Sequence, residues 1–213
     1  MSNSSLKPIT FYAHGPTPNP RKVQIILEEL GLPYTVKDVD NSELKQPPFT
    51  NINPNGRLPA IEDPNTGISL WESGAIIQYL IETYDKNETL TYTSIPEKYQ
   101  LNQWLMFQMS GQGPYFGQAA WFKNYHPEKV PSAVERYVRE VERVIGVLDG
   151  WLQQHKFLVG DKLTYADLAF VPWCAGVPWL DSDKTIDMAK YPAYSKWLGD
   201  MLARDSVKKV TGS

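Results

Sequence analysis

Two short apolar segments and the helix that follows them most restrict the folds open to this chain. The segments Leu58–Glu62 and Ile68–Trp71 are separated by the turn sequence Pro64-Asn65-Thr66-Gly67, a pattern typical of a β-hairpin. An apolar helical face, with Ile76 and Leu80 on it, starts soon after the second segment. The chain must therefore form a hairpin and continue directly into a helix.

A strand–helix–strand pattern precedes this hairpin. Residues 8–13 and Tyr34–Val39 are short apolar segments that predict strands. Between them, apolar side chains recur at helical spacing, with Asn19 as the predicted N-cap, Pro20 as the first helical residue and Gly31 as the stop. The predicted order of elements is βαβ and then ββα.

The second half of the chain has only helical patterns. The segment 134–152 places its apolar side chains on one face, and Thr164-Tyr165-Ala166-Asp167 has the form of a capping box. We therefore predict an α/β domain over residues 7–85, a polar linker over 86–96 and an all-α domain over 97–213.

Charge and composition exclude several classes of function. The net charge of −3 gives no reason to expect a nucleic acid or an anionic membrane as partner. The longest apolar run, Leu168–Leu180, has 13 residues, fewer than the roughly 20 that a spanning helix needs. Cys174 is the one cysteine, which excludes an intrachain disulfide and predicts a cytoplasmic location. We predict no metal site.

The segment Glu72-Ser73-Gly74, at the start of the helix after the hairpin, is the first candidate site. Free backbone N–H groups and the helix dipole at such a position favour a carboxylate, and Glu72 can pair with an amine. The pattern fits a small zwitterion. The structural alternative is that Ser73 serves simply as an N-cap.

Three ordered motifs carry a resemblance to a known family: Asn53–Ala60, Trp71–Ile76 and Val159–Asp167. With them, the chain resembles the cytosolic glutathione transferases from about residue 7 to its end. The resemblance implies a thioredoxin-like N-terminal domain, a helical C-terminal domain, a homodimer and glutathione as cosubstrate. Thr17-Pro18-Asn19 and Gln108–Pro114 are similar to the fungal nitrogen-regulator-like transferases and their bacterial Nu-class relatives. The prion-like extension of the yeast regulator is not expected here.

The resemblance also implies which residues bind glutathione. They are Leu58, Pro59, Glu72, Ser73, Arg57 and Lys45. Leu58 is expected to pair through its backbone with the cysteinyl part of glutathione, next to a cis peptide bond at Pro59. Glu72 and Ser73 are expected to hold the γ-glutamyl end. Arg57 and Lys45 are candidates for the glycyl carboxylate, and each could equally be a solvated surface charge.

Thr17 and Asn19 are the predicted reactive centre. A helix N-terminus and hydrogen bonds to the sulfur lower the pKa of a thiol, and both residues lie where the first helix begins. Asn19 could be both cap and donor, because the cap uses only its amide oxygen. Pro20 stands where relatives usually carry glycine, and it lacks an N–H donor.

Three further residues are given structural roles. Tyr12 is expected to be packed, His14 to be an exposed loop residue, and Cys174 to be a buried small hydrophobe. Since no cysteine lies in the Thr17–Pro20 turn, the reactive thiol must come from glutathione.

Aromatic residues after Gly111 are candidates for a second-substrate pocket: Tyr115, Phe116, Trp121 and Phe122. The alternative is that they form core. The sequence leaves three reactions open: attack of the glutathione thiolate on a small electrophile, on a disulfide, or on a peroxide. A non-catalytic glutathione-binding or regulatory protein is the alternative from another class.

Overall fold

The computed structural model describes residues 6–212, which form two units. The first contains residues 6–89 together with 205–212, and the second contains residues 90–204. Within the described residues, no helix combines the length and the apolar character that crossing a membrane requires.

A four-stranded mixed sheet forms the centre of the first unit. Its strands are β1 (Ile9–Ala13), β2 (Tyr34–Asp38), β3 (Ala60–Asp63) and β4 (Ile68–Trp71), in the spatial order β2-β1-β3-β4. Strand β1 pairs in parallel with β2 and antiparallel with β3, and β3 pairs antiparallel with β4. This is the sheet that the βαβ and ββα order predicts.

Three helices alternate with these strands. Helix α1 (Pro18–Glu29) follows β1, α2 (Phe49–Ile52) follows β2, and α3 (Ser73–Tyr84) follows β4. Helix α1 buries Val23 and Ile26 completely, and α3 does the same with Ile77 and Leu80. Their apolar faces contribute to the same core as Phe11 of β1, which is 0% exposed. The hydrophobic effect therefore fixes both helices in the first unit.

Several element boundaries differ from the sequence prediction by one to three residues, and two of them depend on a proline. Helix α1 begins at Pro18 with Thr17 as its N-cap, so the prediction of Asn19 as N-cap is wrong. A proline at the first helical position loses no hydrogen bond there, and this allows the helix to start two residues earlier, at Pro18. Strand β3 begins at Ala60 and not at Leu58, because Pro59 has no N–H for the strand ladder.

The second unit is helical. Its helices are α4 (Glu97–Phe107), α5 (Gly113–Asn124), α6 (Pro131–Leu152), α7 (Tyr165–Ala175), α8 (Val177–Leu180) and α9 (Pro192–Leu202), with a π-helical turn at Gln108–Gln112 and a 3₁₀ turn at Met188–Lys190. The predicted glutathione transferase fold class, an α/β thioredoxin-like domain plus an all-α domain, is confirmed.

The predicted capping box at the start of α7 is present. The carboxylate of Asp167, which is 0% exposed, accepts hydrogen bonds from the backbone N–H and the hydroxyl of Thr164. It also accepts from the N–H of Leu158 at 2.9 Å and from the indole of Trp197 at 3.2 Å. One buried carboxylate thus ties α7 to the preceding loop and to α9.

The last helix, α10 (Asp205–Thr211), belongs to the first unit. The sequence analysis had placed it in the helical domain. Ser206 and Lys209 donate hydrogen bonds to Glu29 and Glu28 of α1, and Val207 is fully buried. The contact with α1, which pattern reading along the chain does not show, decides where α10 lies.

Candidate functional site

Strand register brings three separate segments of the first unit to one edge of the sheet. Tyr12 of β1 is paired with Ala60 of β3, and Ala60 is paired with Trp71 of β4. Because β3 runs antiparallel to both neighbours, the residues just past this row are the loop after β1, Pro59 before β3 and Glu72 after β4. The sequence-predicted residues at these three places are therefore neighbours across the sheet.

The peptide bond between Leu58 and Pro59 is cis, as the resemblance implied. The turn before it is held by Asn53, a residue 2% exposed, whose side-chain amide donates to the carbonyl of Arg57 at 2.6 Å. Leu58 is half-buried and Pro59 is buried. Asn53 thus fixes the segment that carries the predicted backbone contacts to a peptide ligand.

Lys45 and Arg57 come from different segments and lie at the same loop. The Lys45 ammonium donates to the carbonyl of Asn55 at 2.6 Å. Gly56 between them has a φ of 57°, and a Cβ at this position would overlap the carbonyl of Leu44 and the Lys45 side chain. Only glycine tolerates both conditions without strain, so Gly56 allows the Lys45 side chain to lie against the turn just before Arg57.

Glu72 and Ser73 occupy the start of α3. Glu72 is the N-cap residue, is exposed, and has a φ of 71°, a backbone conformation that costs a non-glycine residue about 1–3 kcal/mol. Ser73 is the first helical residue and is 2% exposed. The N-cap is therefore Glu72 and not Ser73, and the structural alternative, in which the two residues only start the helix, is left open.

Thr17 and Asn19 lie where the loop after β1 leads into α1. The Thr17 hydroxyl donates to the backbone carbonyl of His14 at 3.2 Å. Thr17 is exposed and Asn19 is half-buried in the first helical turn. Both side chains are thus attached to the N-terminal end of a 12-residue helix, where backbone N–H groups and the helix dipole favour an anion.

Tyr12 and Cys174 have the structural roles that the sequence analysis gave them. Tyr12 is 3% exposed and donates a hydrogen bond to Glu62; burial and this carboxylate raise the pKa of Tyr12 to about 12. Cys174, in the second unit, is fully buried, and burial raises the pKa of its thiol to about 12. Both groups therefore stay protonated near neutral pH.

Lys22 is a charged residue that the sequence analysis missed. It lies on α1, is 1% exposed, and its pKa is lowered to about 7 by burial, an effect that the nearby charge of Glu72 opposes. The available signal was its spacing, since Lys22 is four residues before the buried Ile26 and so shares its helical face. A buried cation therefore acts electrostatically on the acidic residue at the start of α3.

The four aromatic residues predicted for a second-substrate pocket have different surroundings in the second unit. Phe116 is 0% exposed, so for this residue the core alternative applies. Phe122 stacks on Tyr137 with ring centroids 5.6 Å apart, and Tyr115 lies against the same ring at 6.4 Å. Trp121 is 47% exposed. Trp121 is thus the most accessible of the four.

Two family models match the chain. The model of the glutathione S-transferase N-terminal domain matches residues 16–88, and that of the glutathione S-transferase C-terminal domain matches residues 79–205. The chain belongs to the glutathione S-transferase family. This membership confirms the predicted family and the glutathione cosubstrate that the family name implies.

Similar proteins of this family come from fungi. The glutathione S-transferase-like protein gedE of Aspergillus terreus is 49% identical, over 97% of this chain and 96% of that protein. The glutathione transferase URE2P6 of Phanerochaete chrysosporium, crystallised with oxidised glutathione, is 46% identical with a TM-score of 0.89, over 96% of this chain and 94% of that one.

A third transferase homologue, from Lodderomyces elongisporus, was crystallised with two glutathione molecules per subunit. It is 39% identical with a TM-score of 0.90, over 97% of this chain and 99% of that one. Relatives named URE2 and Ure2p are also among the matches. The predicted similarity to the fungal nitrogen-regulator-like transferases is thus confirmed.

The lowered pKa of Lys22 predicts a pH-dependent stability. Above about pH 7 the folded protein releases a proton that the unfolded lysine keeps up to its ordinary pKa of 10.5, so the free energy of unfolding should rise with pH. The slope between about pH 7 and pH 9 should approach about 1.4 kcal/mol per pH unit. In the Lys22→Met variant this contribution should be lost.

Urea unfolding of both proteins across this range measures the difference in slope. The window ends near pH 9 because the titration of Cys174, whose folded pKa is raised from 9.0 to about 12, lowers stability above it. Lys86→Met, a change of an exposed lysine just after α3, serves as the matched control and should keep the slope. Parallel curves for Lys22→Met and the unaltered protein would contradict the prediction.

The positive φ of Glu72 predicts opposite effects on stability and on ligand affinity. Glu72→Gly relieves the backbone conformation and should raise the free energy of unfolding by about 1 kcal/mol. The same change removes the carboxylate and should weaken glutathione binding about tenfold or more. Glu82→Gly, on the same helix, should lower stability by about 1 kcal/mol and leave binding unchanged. Calorimetric titration and chemical unfolding give the two readouts.

Proposed function

We propose that this protein is a glutathione-dependent transferase that activates the glutathione thiolate for attack on an electrophile or a disulfide. One observation carries the proposal: the loop that leads from β1 to Thr17 and Asn19 at the start of α1, the segment Leu58–Pro59, and Glu72–Ser73 meet at one edge of the sheet. These are the residues that a γ-glutamyl peptide with a reactive thiol requires.

Each part of glutathione has a proposed partner at this edge. The N–H and C=O of Leu58 pair with the cysteinyl backbone in the manner of an added strand. Glu72 binds the γ-glutamyl ammonium, and the hydroxyl of Ser73 with the first amides of α3 binds its carboxylate. Arg57 and Lys45 hold the glycyl carboxylate, and the position of both at one loop supports this pair.

The thiol is proposed to lie at the N-terminus of α1. Asn19 and Thr17 donate hydrogen bonds to the sulfur there, and the helix dipole stabilises its negative charge. The high pKa values of Tyr12 and Cys174 support this assignment, because neither group supplies an anionic nucleophile near neutral pH. The nucleophile is then the cosubstrate and not a side chain.

Two of the solved neighbours support disulfide reduction among the reactions left open, and a third, cocrystallised with 1-(S-glutathionyl)-2,4-dinitrobenzene, supports conjugation in the same way. One neighbour was crystallised with oxidised glutathione and another with two glutathione molecules per subunit. A disulfide reductase must accommodate a second glutathione to release its product. We propose that this protein reduces glutathione mixed disulfides, and that conjugation and peroxide reduction use the same thiolate.

The proposed enzyme is a cytoplasmic homodimer with an aromatic pocket for the second substrate. Exposed apolar side chains on both units support the dimer, with Trp71 36% and Met106 49% exposed. Trp121 is proposed for the pocket, together with the half-buried Tyr115 and Phe122 of the same helix. These aromatic rings would favour an apolar or planar group on the second substrate.

A comparison of substrates tests the reaction class. The purified protein should reduce the mixed disulfide of glutathione and 2-mercaptoethanol, with steady-state rates that saturate in both substrates. An aryl halide and a hydroperoxide, assayed under the same conditions, measure conjugation and peroxide reduction. Turnover of the aryl halide alone would remove the reductase proposal. Glutathione binding without turnover of any of the three would support the non-catalytic alternative.

The Asn19→Ala variant tests the thiolate site. Loss of one hydrogen bond to a charged group should lower kcat by about 10–100-fold, while the Kd for glutathione should change by less than about threefold, because Asn19 is assigned to the sulfur only. Asn124→Ala, at the exposed end of α5, is the control and should leave both constants unchanged. An unchanged kcat in Asn19→Ala would exclude Asn19 from the mechanism.

A further inference from the structure

A histidine and a carboxylate are paired at the same edge of the sheet. His14 directly follows β1, and Asp38 is the last residue of β2, at the register position paired with Ala13. The Nδ1 atom of His14 lies 3.0 Å from a carboxylate oxygen of Asp38. The sequence analysis expected His14 to be an exposed loop residue, and that expectation gave it no partner.

The pairing determines which ring nitrogen of neutral His14 holds the proton. An ionised carboxylate only accepts hydrogen bonds, so the Nδ1 atom carries the hydrogen and donates it to Asp38. The lone pair is then on Nε2, the ring atom on the other side from Asp38. A carboxylate that orients an imidazole in this way prepares it to accept a proton at Nε2 and stabilises the imidazolium that results.

The position of His14 relates it to the proposed thiol site. Its backbone carbonyl accepts the hydroxyl hydrogen of Thr17 at 3.2 Å, so the two residues belong to one tight turn. Gly15 between them has a φ of 55°, which a glycine adopts without strain. The side chain of His14 is 31% exposed, which leaves it accessible to a bound molecule.

Two acidic residues of the described chain interact with His14. One is Asp38, and the other is Asp40 in the loop after β2. Hydrogen bonds from Ser42 lower the pKa of Asp40, and the charge of His14 lowers it further. Asp38 ends β2 and Asp40 follows it, so the end of β2 supplies the acidic surroundings of His14.

We propose that His14, oriented by Asp38, accepts the proton of the glutathione thiol and donates it to the leaving thiolate. This inference rests on the proposed disulfide reductase function. The residues then have different roles. Asn19 and Thr17 stabilise the sulfur anion, whereas His14 accepts the proton of the thiol and donates it to the leaving sulfur.

The step balances with glutathione as the reductant. The S–H proton of the reacting glutathione moves to Nε2 of His14, and the thiolate attacks the glutathione sulfur of a mixed disulfide. A new S–S bond forms between the two glutathiones, and the bond to the other sulfur breaks. That sulfur leaves with the electron pair and takes the proton from Nε2, so the products are oxidised glutathione and a free thiol.

His14→Gln tests the proposal, because glutamine can donate to Asp38 but cannot accept a proton near neutral pH. With the 2-mercaptoethanol mixed disulfide, whose leaving thiol is alkyl, kcat should fall about 100-fold. With a mixed disulfide of glutathione and an aromatic nitrothiol, a much weaker base that leaves without protonation, the fall should be at least tenfold smaller. The acidic limb of the pH–rate profile should also be lost.

Two other variants complete the test. Asp38→Asn should lower kcat less than His14→Gln and should shift the acidic limb of the profile, because it changes the basicity and orientation of the ring. His155→Gln, at an exposed histidine of the second unit, should match the unaltered protein. Equal losses with both disulfides in His14→Gln, together with an unchanged pH profile, would overturn the proposal and leave the reductase function intact.

A measurement without turnover separates failure of the inference from failure of the proposed function. If the unaltered protein reduces neither disulfide, the reductase function is wrong. The pKa of the bound glutathione thiol, followed by its ultraviolet thiolate absorbance, then decides the role of His14. The pKa of this thiol should be higher in His14→Gln than in the unaltered protein, because the variant has no imidazolium to stabilise the thiolate. An identical pKa in the two proteins would overturn the assignment.

Discussion

The antiparallel pairing of β3 with both β1 and β4 is the constraint on which the candidate site depends. The cross-strand row of Tyr12, Ala60 and Trp71 fixes the register of three strands. A one-residue slip of β3 would turn its buried side chains to the opposite face, and Ile61, which is 0% exposed, prevents this. The same core contacts that stabilise the sheet therefore keep the loop after β1, Pro59 and Glu72 at one edge.

Charged residues of both signs lie in the segments that meet at this edge. Glu72 is exposed and has the buried ammonium of Lys22 near it, whereas Lys45 and Arg57 lie on the other side of the Leu58–Pro59 segment in the chain. A buried lysine is costly unless it is compensated. The charge of Glu72 partly compensates this cost, because it favours the protonated form of Lys22.

The sequence predicted the fold because each element had a local signal. The turn at Pro64–Gly67, the capping box at Thr164–Asp167 and the apolar periodicity of 134–152 depend only on residues near each other in the chain, and all three elements are present. Boundaries were less certain, since Pro18 and Pro20 both fit the first turn of a helix. The family motifs, and not spacing alone, identified the Leu58–Pro59 and Glu72–Ser73 pairs.

Features that depend on contacts between residues far apart in the chain could not be predicted from local sequence patterns. Nothing near His14 in the sequence indicates Asp38, because only the parallel pairing of β1 with β2 brings them together. The burial of Phe116 likewise depends on helices that are far apart in the chain. Lys22 is an intermediate case: its helical spacing placed it on the apolar face, but residue type alone favoured a solvated surface position.

The attachment of α10 to α1 has a consequence for the synthesis of the protein. The first unit is discontinuous, since its final helix is encoded after the whole helical unit. Val207 completes a core that begins with the first strand, and Ser206 and Lys209 bond to acidic residues at the far end of α1. Because α10 is translated after residues 90–204, α1 gains its full set of neighbours only once the helical unit has been synthesised.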